Sequence, residues 1–307
     1  MRIVVFGAGG VGSFYGALLA KAGHDVHFVA RGAQLDAIRT RGIRVASRLL
    51  GEIDVPPVSA SARAAEAGHA ELVLVCVKAH HTAGILDELS NVVGPDTIVL
   101  PLQNGVESDE LLAARFGRAR VPAAVVYVGA TVENPGVVSH VANGLILIGA
   151  RPGFDAGRLP GVRDALASTG LPVQISNDIQ EERWRKLIWN ASFNPVSALT
   201  RREPRDLLAF QESRALIVGL MREVIAVART QGMALLDSEI DGQIGWTEAT
   251  PAIRTSMQVD RERGRTMETD ALVGVVVRTG RAHGVPTPLG EVIHTLLQAV
   301  DIAPQTR

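Results

Sequence analysis

The chain has 307 residues, 47% of them hydrophobic, which is enough for two domains with cores of their own. Its 31 basic and 32 acidic residues leave a formal net charge of −1, so no global field draws it to nucleic acid or an anionic membrane, and a small-molecule ligand fits better. A single cysteine, Cys76, excludes a disulfide within the chain.

The apolar run after Met1-Arg2 is broken at once by glycines, unlike a signal peptide, and no later run is long enough to span a membrane, so a cytoplasmic protein is expected. The β-branched run Ile3-Val4-Val5-Phe6 meets Gly7-Ala8-Gly9-Gly10-Val11-Gly12, and Phe14, Leu18, Leu19 and Ala22 then recur at helical spacing until Gly23. This order reads as strand, glycine turn and helix. Gly7 permits a tight turn, Gly9 lets the backbone approach a pyrophosphate, and Gly12 lets the helix pack on the strand, with helix-start N–H groups facing the anion. A Rossmann dinucleotide site follows, the alternative being a purely structural glycine turn. The second strand, Val26 to Val29, ends in Ala30-Arg31, and its nearest acid, Asp25, lies at its beginning. An NAD site places an acid at that end and an NADP site a cation, so Arg31 points to NADP unless it is merely solvated.

Ala33 to Arg41 reads as a short helix, Ile43-Arg44-Val45 with Ile53-Asp54-Val55 as a pair of strands, and Ser61 to Ala67 as a small helix. Glu71 to Val77 is almost continuously apolar, the pattern of a parallel strand buried on both faces, with Cys76 read as a buried structural thiol. A helix is expected over His80 to Val92 and a buried strand over Thr97 to Leu100, leading into Leu102-Gln103-Asn104-Gly105. Lys78 and Asn104 lie just past the ends of these two strands, where open α/β sheets bind ligands, although a solvated lysine and an Asn-Gly turn are the ordinary readings. The adjacent His80-His81 cannot share a helix face as metal ligands, so no metal is expected. Val121 to Thr131 and Val137 to Ile148 read as antiparallel additions to the sheet, Arg158 to Thr169 as a helix and Val173 to Ser176 as a last strand. Beyond this point β runs vanish. An NADP-binding Rossmann domain over 1–176 and an all-helical substrate domain over 177–307 are therefore expected, with helix breaks near Pro204, Gly232 to Asp237, Gly242 to Gly245 and Gly284 to Pro288. The apolar Ala271 to Val277 and Val292 to Val300 could close that domain's own core or form a homodimer.

The helical domain opens with a helix from Asn177 or Asp178 to Pro195, with acids in its first turn and a mostly apolar or aromatic interior. Lys186, Asn190 and Asn194 recur at intervals of four, one stripe with only about 40° of drift per step. Polar groups on a buried helix need a polar partner, and a substrate would be one. Asparagines bonded to backbone, with Lys186 reaching water, would satisfy the same spacing.

With the GAGGVG turn, Lys78, Leu102-Gln103-Asn104-Gly105, the Lys186/Asn190/Asn194-Pro195 helix, and Ser256-Met257 upstream of Glu268-Thr269-Asp270, the chain resembles the ketopantoate reductase (2-dehydropantoate 2-reductase) family over nearly its full length. The resemblance implies a second domain like the C-terminal domain of 6-phosphogluconate dehydrogenase, with NADPH and a small 2-oxo acid in a cleft between the domains. It implies hydride transfer to the C2 ketone of ketopantoate, giving pantoate for pantothenate and coenzyme A synthesis. Lys186 matches the proton donor, and Asn104 a residue near cofactor and ketone. Asn190, Asn194 and Ser256 match substrate contacts, Glu268 matches an acid that touches the cofactor and orders the site, and Ala130 joins the cofactor contacts. Where several members carry a further asparagine, about ten residues after Asn194, this chain reads Thr200-Arg201-Arg202-Glu203-Pro204. A reductase of another 2-oxo acid is thus the nearer rival, and a non-catalytic NADP sensor the more distant one.

Overall fold

The structure, a computed structural model, describes residues 1–250 and 253–301. The chain divides into two compact units, one of Met1–Asn104 with Ser108–Ile179, the other of Gly105–Glu107 with the chain from Gln180 onward. The division thus falls after Ile179 instead of Ser176, and a tripeptide following Asn104 packs with the helical unit.

In the first unit β1 (Arg2–Phe6), α1 (Gly10–Lys21) and β2 (Asp25–Val29) form the opening βαβ unit, followed by α2 (Gly32–Thr40), β3 (Ile43–Ser47), β4 (Gly51–Val55), β5 (Ser59–Ser61) and β6 (Ala70–Val75). Then come α3 (Leu86–Leu89), β7 (Val93–Pro101), α4 (Ser108–Phe116), β8 (Ala123–Asn134), β9 (Val137–Gly149), α5 (Leu159–Ala167) and β10 (Val173–Ile175). A parallel sheet runs β5-β2-β1-β6-β7. Phe6 pairs with Val29 and Val75, and Val75 with Pro101, so the central strands end level and the loops after them leave from one edge. The central strands β1 and β6 and the end of β7 are largely apolar because both sheet faces are covered there.

The hairpin β8–β9 does not extend that sheet, as the sequence suggested. It builds a second one, ordered β10-β9-β3-β4 with β8 paired to β9. The 13-residue β9 takes β3 alongside its first half and β10 alongside its second, both parallel, leaving β8 antiparallel on its other edge. The two sheets enclose α1, whose residues Gly12 to Leu19 are all buried and whose Phe14, Leu18 and Leu19 join side chains of both sheets in one core. A helix apolar on every side is satisfied only between two layers.

Two short helices also differ from expectation. At Ser61 to Ala67 the chain first adds β5 to the sheet, where Ser59 and Ser61 bond the two ring nitrogens of His27 at 2.7 Å each, and only Ala64–Glu66 makes a 3₁₀ turn. Over His80 to Val92 two 3₁₀ turns precede the four-residue α3, because the fully buried Thr82 hydroxyl accepts from Gln103 Nε2 at 2.9 Å and ties the chain down.

The second unit contains α6 (Ile179–Thr200) from its second residue on, α7 (Pro204–Ala209), α8 (Gln211–Thr230), α9 (Ser238–Ala249), α10 (Ser256–Glu262), a π-helical turn (Asp270–Gly274), α11 (Val275–Ala282) and α12 (Pro288–Asp301). Gly242 and Gly245 do not break the chain but lie inside α9, held helical by the burial of Ile240, Ile244 and Thr247, which outweighs about 1 kcal/mol per glycine. The core gathers Leu187, Ile188 and Phe193 of α6, Ile217, Leu220 and Val224 of α8, and Val275 to Val277. In α12, Ile293 and Leu297 close that core, whereas Val292 and Leu296 face outward. No helix among the described residues is long and apolar enough to cross a membrane.

Candidate active site

The level strand ends of the first unit carry one group of candidate residues. Gly7 has φ +103° and its N–H donates to the Val29 carbonyl at 3.0 Å, while a Cβ there would lie 2.8 Å from the Val77 nitrogen. A Cβ on Gly12 would collide with the Gly7 carbonyl, so both glycines are demanded by packing. Gly9 differs: a Cβ there meets nothing within 4 Å. It caps α1 with no side-chain hydrogen bond, and no acid sits in the first turn. Uncapped N–H groups at an open glycine suit an anion such as a pyrophosphate.

Ala8, Gly10 and Val11 are half-buried around this turn, and the Ala130 carbonyl of β8 closes onto Gly10. Arg31 follows β2, starts α2 and is exposed, whereas Asp25 lies at the far end of the strand, 3.9 Å from Arg2. Lys78 and Asn104 occupy the loops after β6 and β7, and both make interactions within the protein. Gln103, which sequence reasoning assigned no role, joins these loops by donating to the Val77 carbonyl at 2.8 Å and to Thr82. Its signal was its place in the Leu102–Gly105 motif. Cys76 is half-buried against Gly12, and burial pushes its thiol well up.

In the second unit, α6 is buried continuously from Asn190 to Ala198, which places Asn190 and Asn194 against protein, with Lys186 half-buried one turn earlier. Asn190 is 7% and Asn194 2% exposed, and the Asn194 Oδ1 has no hydrogen-bond partner among the described residues. An orphan acceptor at such depth is costly unless a ligand or water donates to it.

Lys186 has its pKa lowered to about 8 by burial, partly offset by the charge of Glu268. Glu268 is itself buried and lies just before the π-helical turn, a feature frequent at functional sites. Ser256 is the exposed first residue of α10, where Thr255 and not Ser256 serves as the cap by accepting from the Gln258 N–H at 3.1 Å. This helix docks on the end of α6 through Arg261, which donates to the carbonyls of Ala198 and Leu199. The structure therefore brings Lys186 and Glu268 together and aligns Asn190 and Asn194 with them. Arg201 and Arg202 are exposed beyond the end of α6. Among the described residues no group of three or more His, Cys, Asp or Glu could hold a metal ion.

A parallel-sheet unit with an anion-ready glycine turn, followed by a helical unit with a lysine tuned toward neutral pH, defines the class of two-unit dinucleotide oxidoreductases. Residues 3–153 match the family model for ketopantoate reductase PanE/ApbA, and residues 178–301 match the model for its C-terminal part. The chain belongs to the ketopantoate reductase PanE/ApbA family. It is similar to a 2-dehydropantoate 2-reductase of Mesorhizobium japonicum, 34% identical over 98% of each chain. Among solved structures it is similar to a 2-dehydropantoate 2-reductase of Geobacter metallireducens, with a TM-score of 0.93 at 34% identity over 97% of this chain and 99% of the other. A D-mandelate dehydrogenase solved with NADH and anilino(oxo)acetate shares the fold, with a TM-score of 0.88 at 21% identity over 98% of each chain.

Proposed function

We propose that the protein reduces 2-dehydropantoate (ketopantoate) to pantoate with NADPH, a step of pantothenate synthesis. The observation that carries this reading is Lys186, held at a pKa of about 8 beside Glu268 on the helix that presents Asn190 and Asn194. NADPH, when bound, supplies the hydride. The residues present fit it: Gly9 leaves room for the pyrophosphate at the uncapped start of α1, and exposed Arg31 suits the 2′-phosphate. Lys186 stabilises the negative charge that develops on the carbonyl oxygen and passes that atom a proton. Glu268 keeps the ammonium charged and oriented, and the asparagine amides and Ser256 hold the substrate's carboxylate and hydroxyl. Lys78, Asn104 and Ala130 are assigned to the cofactor, with Asn104 also near the ketone.

Loss of NADPH absorbance on adding ketopantoate, beside 2-oxoisovalerate and bulkier 2-oxo acids and with NADH as control, tests the reading. Turnover selective for ketopantoate and NADPH is expected. Higher kcat/KM for another acid moves the substrate to that acid, a second reading favoured by Thr200–Pro204, where the chain lacks the family's further asparagine and exposes two arginines. Binding of NADPH without turnover of any acid would make the protein a sensor, for which a buried lysine beside two amides has no use.

A further inference from the structure

The tripeptide Gly105–Glu107 follows the last parallel strand yet packs with the helical unit. Gly105 has φ +89°, and a Cβ there would lie 2.8 Å from the Ala271 carbonyl oxygen in the π-helical turn, so glycine alone fits. The Gly105 carbonyl accepts from Nη2 of Arg183 at 3.4 Å, while Nη1 of the same guanidinium donates to Gln180 Oε1 at 3.1 Å. Arg183 is only 6% exposed, and a guanidinium taken out of water to that degree is expensive unless its donors are used. Val106 packs on the helical core, and Glu107 meets Arg278 of α11 at 2.7 Å. That last pair is half-exposed and contributes little by itself. Two of these grips come from the segments that carry the proposed acid pair: Arg183 stands three residues before Lys186 on α6, and Ala271 three residues after Glu268.

We infer that Arg183 is a positioning residue, which fixes the Gly105–Val106 peptide from the helix that carries Lys186 and so restrains the neighbouring Asn104. The inference rests on the proposed role of Asn104 near cofactor and ketone. Arg183→Met removes the donors and keeps most of the apolar stem. It lowers kcat for 2-oxo acid reduction about tenfold with KM for NADPH unchanged, and Arg183→Lys recovers part of the loss. In an Asn104→Ala background Arg183→Met has no further effect on kcat, because a residue acting only through Asn104 cannot be lost twice. Multiplying losses in the double variant would overturn the inference.

A second measurement does not depend on the substrate. Amide hydrogen exchange of the peptide spanning 102–107 quickens in Arg183→Met while that of α8 stays the same, and Gln180→Ala, which leaves the guanidinium charge in place, gives a smaller change in the same peptide. Unchanged exchange in 102–107 overturns the inference whichever 2-oxo acid the enzyme takes. Absence of turnover by the wild-type protein would instead overturn the proposed function, with the exchange result still deciding the role of Arg183.

Discussion

Replacing Glu268 by Gln keeps the shape of the side chain and removes the charge that holds the Lys186 pKa up. With that pKa at about 8, Lys186 is about nine-tenths protonated at pH 7 and about one-tenth at pH 9, so reduction falls roughly tenfold per pH unit above 8. An opposite charge at close range is worth about one to three pKa units. With the smallest of these shifts, Lys186 in the variant is about half protonated at pH 7 and about one-hundredth at pH 9. The ratio of variant to wild-type kcat/KM therefore drops from near its plateau at about pH 6 to roughly half of it at pH 7 and about a tenth at pH 9. The sign is set by chemistry: reduction needs the ammonium as acid and loses rate as pH rises through the pKa. Oxidation of the 2-hydroxy acid needs the free amine and gains rate over the same range. Initial rates in both directions from pH 6 to 10 test this. A ratio that does not vary with pH would refute the coupling between Glu268 and Lys186, whatever the overall loss of activity.

Lys186→Ala is expected to lower kcat by about 10²–10⁴ while NADPH still binds, measured by titration of the cofactor's fluorescence; full turnover would exclude Lys186 as the acid. Arg31→Ala should raise KM for NADPH about ten- to hundredfold with little change for NADH, as loss of a charge-assisted phosphate contact requires, and equal effects on both would show that Arg31 reads no phosphate. Gly9→Ala, with nothing within 4 Å of the added methyl, should keep the melting temperature and weaken nucleotide binding, whereas Gly12→Ala should lower stability by about 1–3 kcal/mol or more through its clash with the Gly7 carbonyl. The Arg151 Nε and Asp109 Oδ2 lie 2.6 Å apart in side chains 3% and 0% exposed, so Arg151→Met should cost about 3–5 kcal/mol in denaturant unfolding by leaving Asp109 buried without its cation.

Local stereochemistry accounts for the features that are legible in the chain alone. Gly7 to Gly12 announce their turn because Gly7 takes a φ of +103° and a Cβ on Gly12 would strike the Gly7 carbonyl within the turn itself. Lys186, Asn190 and Asn194 share a stripe because helical geometry alone puts residues four apart on one side. The order of elements and the change from β runs to helices after β10 are likewise legible, since hydrophobic period reports secondary structure directly.

Choices between distant partners are not legible in this way. The β8–β9 hairpin pairs with β3 and β10 because α1 has a second apolar side to cover, which alternation along the hairpin does not reveal. Gly242 and Gly245 look like breaks until the burial of Ile240 and Ile244 is known. The allegiance of Gly105–Glu107 to the helical unit depends on Arg183, Ala271 and Arg278, residues about 80 to 170 positions away in the chain. The same holds for chemistry. Spacing along the chain is enough to put a lysine on a stripe with two amides. That burial beside Glu268 lowers the pKa of this amine to about 8 follows from packing, because desolvation and charge are summed over everything around the amine and are properties of no single segment.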